Sequence, residues 1–339
     1  MRLNKRLVSL ALAAATLTSV FAANAYAAEY DLIISHTINQ NSPEQRAYTY
    51  FKDLIEEKSE GRIAVTIYPN KEIATSDNEN AELVSQNIAQ ISAITPGVLY
   101  STSNIKGFNI FDYPYLMETY DEIYEVVDGP VMDDLSAQLE EATGIKIFGG
   151  FIMGWCLLGS VHNEVTDANS VKGQKIRTIP SLGQAAIMEK LDASSYACGF
   201  GDLIPALQQK TVDGVFTSSN LLYTEGVSEI CHDYINPKAI TIIQMLVVNA
   251  DWYNSLPDDL KAVFDECAAE LNRQIRENDQ AYEQEAIDLM ISEDGCTVLN
   301  DPSDEVIAEF KEKLSPIIEE QPDIAGADVV NAVKEQLGK

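Results

Sequence analysis

The sequence predicts an α/β protein with two lobes, and three observations lead to this fold class. Strand-like and helix-like segments alternate from residue 30 to about residue 94, an order typical of a parallel sheet covered by helices. The same alternation resumes near residue 146 and continues to about residue 216, which indicates a second α/β unit. A stretch without Gly or Pro then follows Pro257 and predicts one long helix.

The first unit contains three predicted strands and two predicted helices. Ser42 marks the start of the first helix, with Pro43 at its first position and Gln45 completing a capping box. The predicted strands cover residues 30–36, 63–68 and 90–94, and the predicted helices cover residues 42–61 and 78–87.

The second unit repeats this order and suggests a second lobe. Its predicted strands cover residues 146–152 and 175–178, a turn at 213–216 leads into another, and its predicted helices cover 182–191 and 202–209. We expect lobe I to comprise residues 28–154 and 243–282, and lobe II to comprise residues 155–242 and 283–339.

The stretch from residue 258 to about 290 places apolar residues in steps of three and four, for example Leu260, Phe264, Leu271 and Ile275. A single helix of this length would extend about 50 Å, which is longer than one lobe. The apolar stripe lapses at Asn278, which argues against a coiled coil. We therefore predict a helix that spans both lobes.

The N-terminus has the three parts of a secretory signal peptide. Arg2, Lys5 and Arg6 precede an apolar stretch at residues 7–23, and Ala-Tyr-Ala follows at residues 25–27. We predict cleavage after Ala27 and export to the periplasm. The remaining sequence has no apolar run of about 18 residues, so the mature chain is not expected to span a membrane.

Composition and motifs argue against several functions. The chain has 23 Lys and Arg against 53 Asp and Glu, and loss of three signal-peptide cations changes the formal charge from −30 to −33. Nucleic acid is excluded as a partner because phosphate binding needs a basic surface. There are three histidines, no G-x-S-x-G and no H-E-x-x-H, and the five cysteines lack zinc-site spacing. We expect no catalysis, no metal and no cofactor.

The most specific pattern lies between residues 172 and 214. Lys172-Gly-Gln-Lys-Ile-Arg177 precedes a segment from Phe200 to Gln209, and Val-Asp-Gly214 closes the unit. This pattern resembles the DctP-type solute-binding proteins of tripartite ATP-independent periplasmic (TRAP) transporters, and the resemblance extends from about residue 30 to residue 314. Three positions depart from the family pattern, where Asp202 replaces Glu, Ile204 replaces Tyr and Lys210 replaces Gly.

The resemblance implies a two-lobed binding protein that closes by a hinge on a small organic acid and delivers it to TRAP permease subunits. It also implies that Arg177 forms a bidentate salt bridge with the ligand, which agrees with the planar, two-pronged geometry of guanidinium. Delivery would depend on an ion gradient and not on ATP. Two alternatives stay open: the binding protein of an ATP-driven importer, or a periplasmic ligand sensor.

The resemblance also assigns further ligand contacts. The second Arg of sialic-acid-binding members aligns with Leu157, which disfavours sialic acid and dicarboxylates and favours a monocarboxylate, an aromatic acid or a sugar acid. The mature protein is expected to be a monomer. Besides Arg177, the predicted contacts are Phe200, Thr217, Trp155, Thr37, Thr95 and Gln244.

Overall fold

A computed structural model gives the fold for residues 28–40 and 42–339. The predicted signal peptide, residues 1–27, lies outside the described residues. The strands are β1 Tyr30–Ser35, β2 Ile63–Tyr68, β3 Ile91–Ile94, β4 Ile145–Ser160, β5 Lys175–Thr178, β6 Ser194–Ala197, β7 Gly214–Ser218, β8 Asp233–Ile235, β9 Thr241–Asn249 and β10 Thr297–Leu299.

Helices pack on these strands, in agreement with the predicted α/β class. Short 3₁₀ segments occur at Lys106–Asp112, Phe200–Asp202 and Pro322–Ile324. The α-helices are α1 Pro43–Lys58, α2 Asp77–Ser85, α3 Pro96–Ser103, α4 Tyr120–Val127, α5 Pro130–Thr143, α6 Leu182–Lys190, α7 Leu203–Gln208, α8 Ser219–Thr224, α9 Ala250–Ser255, α10 Asp258–Arg276, α11 Asp279–Ser292, α12 Asp304–Leu314, α13 Ile317–Glu320 and α14 Ala327–Gln336.

The strands form two parallel groups joined by two long antiparallel strands. The main order is β2-β1-β3-β9-β4-β7-β5-β6, and β8 and β10 extend the sheet from β4. Strands β1, β2 and β3 are parallel, as are β5, β6 and β7, whereas β9 and β4 run antiparallel between the groups. The two predicted α/β units are therefore the two ends of one sheet.

Strand β4 is longer than predicted, because it continues from residue 152 to Ser160. Its first part pairs with β9 and its last part with β7 and β8. Two register shifts interrupt the pairing with β9, and Gly149 and Gly154 lie at them with φ values of +156° and +110°. These glycines permit bulges and do not end the strand.

Helix α1 begins as predicted, but only half of the capping box forms. The Ser42 hydroxyl accepts a hydrogen bond from the Gln45 backbone N–H at 3.1 Å. The Gln45 side chain bonds instead to His36 Nε2 at 2.7 Å and so joins the helix to the end of β1. The hydrogen bond to His36 therefore replaces the bond that a complete capping box would form between the Gln45 side chain and the Ser42 backbone N–H.

The predicted single long helix is wrong in one respect, because it consists of two helices. Helix α10 ends at Arg276 and α11 starts at Asp279, so Glu277 and Asn278 separate them. Asp279 is 4% exposed and its carboxylate accepts the Tyr124 hydroxyl. This buried polar side chain lies next to Asn278, where the apolar stripe of the sequence lapses.

Two apolar cores stabilise the fold, and the larger one extends along the sheet from β1 to Ile176 in β5 and Phe216 in β7. The larger includes Leu32, Phe51 and Phe264, and the smaller includes Leu203, Val215 and Met290. The C-terminal helix α14 packs on α5, and the Gln336 amide donates to the Glu125 carbonyl in α4. Within the part of the chain that the structure describes, no helix is both long and apolar enough to cross a membrane.

Candidate ligand-binding site

Arg177 lies in β5 and is almost completely buried, with 1% of its surface exposed. Its Nε and Nη2 atoms donate to the Cys198 carbonyl at 3.3 and 2.9 Å. Its Nη1 atom is buried and has no hydrogen-bond partner among the described residues. Burial lowers the pKa of the guanidinium, and the nearby Cys198 and Asp202 oppose that shift. A buried cation with an unpaired nitrogen is costly unless an anion completes it.

The ring of Phe200 covers this guanidinium. The Arg177 Cζ atom lies 5.3 Å from the ring centroid, a distance at which a cation and an aromatic face attract each other. Phe200 occupies the short 3₁₀ segment that follows β6, next to the carboxyl end of β5. The structure thus brings together the two residues that the motif places 23 positions apart.

Thr217 lies on the same face of the sheet as Arg177. Arg177 pairs with Val215 across β5 and β7, and side chains two residues apart on a strand point to one side. The Thr217 hydroxyl is buried and without a partner in residues 28–40 and 42–339. Leu157 pairs with Thr217 from β4 and is fully buried, so the position that aligns with a second Arg presents an apolar side chain.

The other end of the sheet brings together three further predicted residues around one carboxylate. Thr37 donates its hydroxyl to Asp77 Oδ1 at 3.3 Å, and Thr95 donates its backbone N–H to Asp77 Oδ2 at 3.2 Å. The Gln244 amide also faces this carboxylate, while the buried Gln244 Oε1 has no partner in the described chain. Thr37 and Thr95 follow β1 and β3, the carboxyl edge where ligands of parallel sheets usually bind.

Asp77 itself was not predicted from the sequence. Burial raises the pKa of its carboxyl, and the donors from Thr95, Gln244 and Thr37 counteract this by favouring the ionised form. In the sequence Asp77 directly follows the helix cap Ser76, where an acidic residue is explained by the helix dipole alone. Only its proximity to the ends of β1 and β3 in the folded protein indicates its role, and the sequence does not contain that information.

Trp155 has contacts with the helices that flank the sheet. Its indole is 9% exposed and packs against the Tyr120 ring, with centroids 6.0 Å apart. Its backbone N–H donates to Glu283 Oε1 at 3.0 Å. A stacking role for Trp155 on a ligand stays a prediction.

The two ends of the sheet also contact each other directly. Lys71, which follows β2, pairs with Glu225, which follows α8, at 3.0 Å between Nζ and Oε2. A Cβ atom added to Gly97 at the start of α3 would lie 3.6 Å from the Pro180 carbonyl oxygen. Asp77 and Arg177 thus lie on the two sides that these contacts join, Asp77 beside β1 and β3 and Arg177 in β5.

A separate cavity of about 430 Å³ opens between the start of α1, helix α8 and helix α11. Its lining is rich in carboxylates, and none of the seven predicted site residues belongs to this lining as the structure describes it.

The sequence of this chain matches that of a known protein family. The sequence profile of "Bacterial extracellular solute-binding protein, family 7" (DctP) matches residues 34–323. The chain belongs to this family. The predicted resemblance is therefore confirmed, and this family 7 protein is 23% identical to the C4-dicarboxylate-binding periplasmic protein DctP of Rhodobacter capsulatus over 333 residues, 98% of each chain.

Solved structures of the family share its fold. The sugar acid binding protein DctPAm of Advenella mimigardefordensis, in complex with galactonate, matches 90% of this chain and 97% of its own with a TM-score of 0.83 at 20% identity. A TRAP periplasmic solute binding protein of Shewanella oneidensis, with bound succinate, matches 91% and 99% with a TM-score of 0.82 at 20% identity. At these identities the likeness shows the two-lobed fold, and the predicted fold class is confirmed.

Proposed function

We propose that this family 7 protein captures a small hydroxylated monocarboxylate between its lobes in the periplasm and delivers it to a TRAP permease. The observation that carries the proposal is the buried Nη1 atom of Arg177, which has no partner in the described chain. A ligand carboxylate would accept a hydrogen bond from this nitrogen and would neutralise the guanidinium charge, inside a cleft where little water screens it.

Asp77 supports the choice of a monocarboxylate. It places a carboxylate in the wall opposite Arg177, and a ligand with a carboxylate at each end would bring like charges together there. A ligand hydroxyl would instead donate to Asp77 or to Gln244 Oε1, which has no partner among the residues that the structure describes. Succinate, bound by the Shewanella oneidensis protein, and galactonate, bound by DctPAm, represent these two ligand types.

Calorimetry with a matched pair of ligands tests this proposal. A hexonate and the corresponding hexarate have the same carbon chain and differ by a second carboxylate. We expect the hexonate to bind at least ten-fold more tightly, because one unfavourable charge contact costs about 1.4 kcal/mol or more. Tighter binding of the hexarate, or of succinate, would contradict the ligand class while leaving solute binding intact.

The remaining parts of the proposal have direct tests. Export predicts that protein from the periplasm starts at Ala28, which intact mass measures. Binding without catalysis predicts that the ligand is recovered unchanged after long incubation.

The monomeric state is measured by light scattering, and the lobe boundaries near residues 154, 242 and 282 are measured by limited proteolysis. Uptake that stops with an ionophore, but continues when ATP is depleted, supports a TRAP permease as the partner.

A further inference from the structure

Lys71 and Glu225 form an ion pair that joins the two ends of the sheet. The Nζ–Oε2 distance is 3.0 Å, and the side chains are 31% and 18% exposed. Both are shielded better than most partners in the surface ion pairs of the described chain, for example Lys238 and Asp301 at 44% and 83%. A partly buried pair is screened less by salt and contributes more than an exposed one.

The backbone that presents Lys71 is unusual. Asn70 and Lys71 have φ values of +53° and +65°, and consecutive left-handed residues with a Cβ atom are uncommon. Two hydrogen bonds hold this conformation, from Asn70 N–H to the Ile38 carbonyl at 2.9 Å and from Lys71 N–H to the His36 carbonyl at 3.4 Å. Such conformations persist where the surroundings determine them, often at sites of function.

The same lysine approaches the aromatic ring that covers Arg177. Its Nζ atom lies 6.0 Å from the Phe200 centroid, and the Arg177 Cζ atom lies 5.3 Å from that centroid. One ring is therefore near a cation from each side of the cleft. Movement of Lys71 away from Glu225 would remove both the ion pair and one of these two contacts.

We propose that the Lys71–Glu225 pair is a latch that holds the lobes closed, and that Lys71 positions Phe200 over Arg177 so that release of the bound acid is slowed. The effect on release rests on the proposed function, whereas the latch itself does not. Lys71 acts on the ligand through Phe200 and through closure, so it is a positioning residue. The pair joins the lobes only in the closed form, so its loss should shift both the free and the bound protein toward the open form and should raise the off-rate.

Stopped-flow fluorescence with galactonate tests the release step. We expect Lys71→Met and Glu225→Gln each to raise the off-rate two- to five-fold, the range typical of such pairs. The double variant should be no faster than Lys71→Met, which already loses both the ion pair and the contact with Phe200. The exchanged pair Lys71→Glu with Glu225→Lys should restore the ion pair but not the cation beside the Phe200 ring, so it should slow release only in part. Lys334→Met, which removes a lysine of 32% exposure paired at 2.8 Å to Glu319, is the matched control. An unchanged off-rate in Lys71→Met, or an exchanged pair that releases the acid as fast as Lys71→Glu alone, overturns the proposal.

Small-angle X-ray scattering without ligand tests the latch separately. We expect Lys71→Glu to increase the radius of gyration relative to the wild type, the exchanged pair to return it, and Lys334→Glu to have no effect. Identical radii for the wild type and Lys71→Glu overturn the latch. If the wild type binds no organic acid, the proposed function fails, and the scattering result still decides the latch.

Discussion

Replacement of Arg177 by Met should weaken ligand binding without lowering the stability of the free protein. Met retains much of the apolar volume of the side chain but has no charge and no donor. Loss of the salt bridge to a ligand carboxylate costs about 2–5 kcal/mol, or about 30-fold to several thousand-fold in affinity. The ligand affinity of Arg177→Lys should lie between those of the wild type and Arg177→Met, because lysine retains the charge but not the two-pronged geometry.

The free variant should be at least as stable as the wild type. Arg177 is 1% exposed, one of its nitrogens is unpaired in the described chain, and burial lowers its pKa, so the charge is costly in the ligand-free protein. Its removal relieves several kcal/mol of desolvation, while the Cys198 carbonyl loses two donors at a cost of about 1–3 kcal/mol.

Two measurements check these expectations together. Thermal unfolding gives the stability of the free variant, and calorimetry with galactonate gives the affinity. A ligand at 100 times its wild-type Kd stabilises the wild type by about 2.7 kcal/mol, so the wild-type Tm should rise by several degrees. The same ligand concentration should stabilise Arg177→Met by about 0.9 kcal/mol or less, so its Tm should rise by at most about a third as much. Lys175→Met, at an exposed lysine two residues earlier, is the control and should bind normally. Binding by Arg177→Met within three-fold of the wild type would refute the anchoring role.

Three further predictions concern Asp77, Asp279 and Ser42. Asp77→Asn removes the opposing charge and should narrow the affinity gap between a hexonate and a hexarate, as calorimetry measures; an unchanged gap excludes charge repulsion as its cause. Burial raises the pKa of Asp279 from 3.8 to about 6, so its protonated form is favoured by folding, and the stability that it contributes below pH 3.8 is lost as the pH rises to 6. Asp279→Asn should therefore raise the unfolding free energy at pH 7 by at most about 3 kcal/mol and should hardly change it at pH 3.5. Denaturant titrations at both pH values measure this difference, and an equal effect at the two values would contradict the prediction. Ser42→Ala removes the cap of α1 and should lower the unfolding free energy by about 0.5–2 kcal/mol, whereas Ser42→Asp should retain it.

Local patterns predict the short elements of this fold well. The bounds of β2 and β5 agree with prediction, and the bounds of α6 differ by one residue, because strand-forming runs and a Ser cap are local signals. Glycines in β4 instead resemble strand ends, since a bulge depends on the neighbouring strand. The break between α10 and α11 adjoins Asp279, whose carboxylate accepts a hydrogen bond from the Tyr124 hydroxyl, 155 residues away in the chain.

The candidate site shows the same division. Arg177 and Phe200 belong to a motif, so a family resemblance identifies them from the sequence alone. Asp77 and Lys71 have no motif, and each lies where a charged residue has an ordinary explanation, one after a helix cap and one in a loop. Their importance depends on what lies across the cleft, which is a property of the tertiary fold.

Strand β4 has a consequence for how this protein unfolds. It shares hydrogen bonds with β9 at one end and with β7 and β8 at the other, so neither lobe contains a complete sheet of its own. Unfolding of either lobe would therefore remove strands that pair with β4 and would leave the sheet of the other lobe incomplete. We therefore expect the two lobes to denature in one cooperative calorimetric transition, with a van't Hoff enthalpy that matches the measured heat.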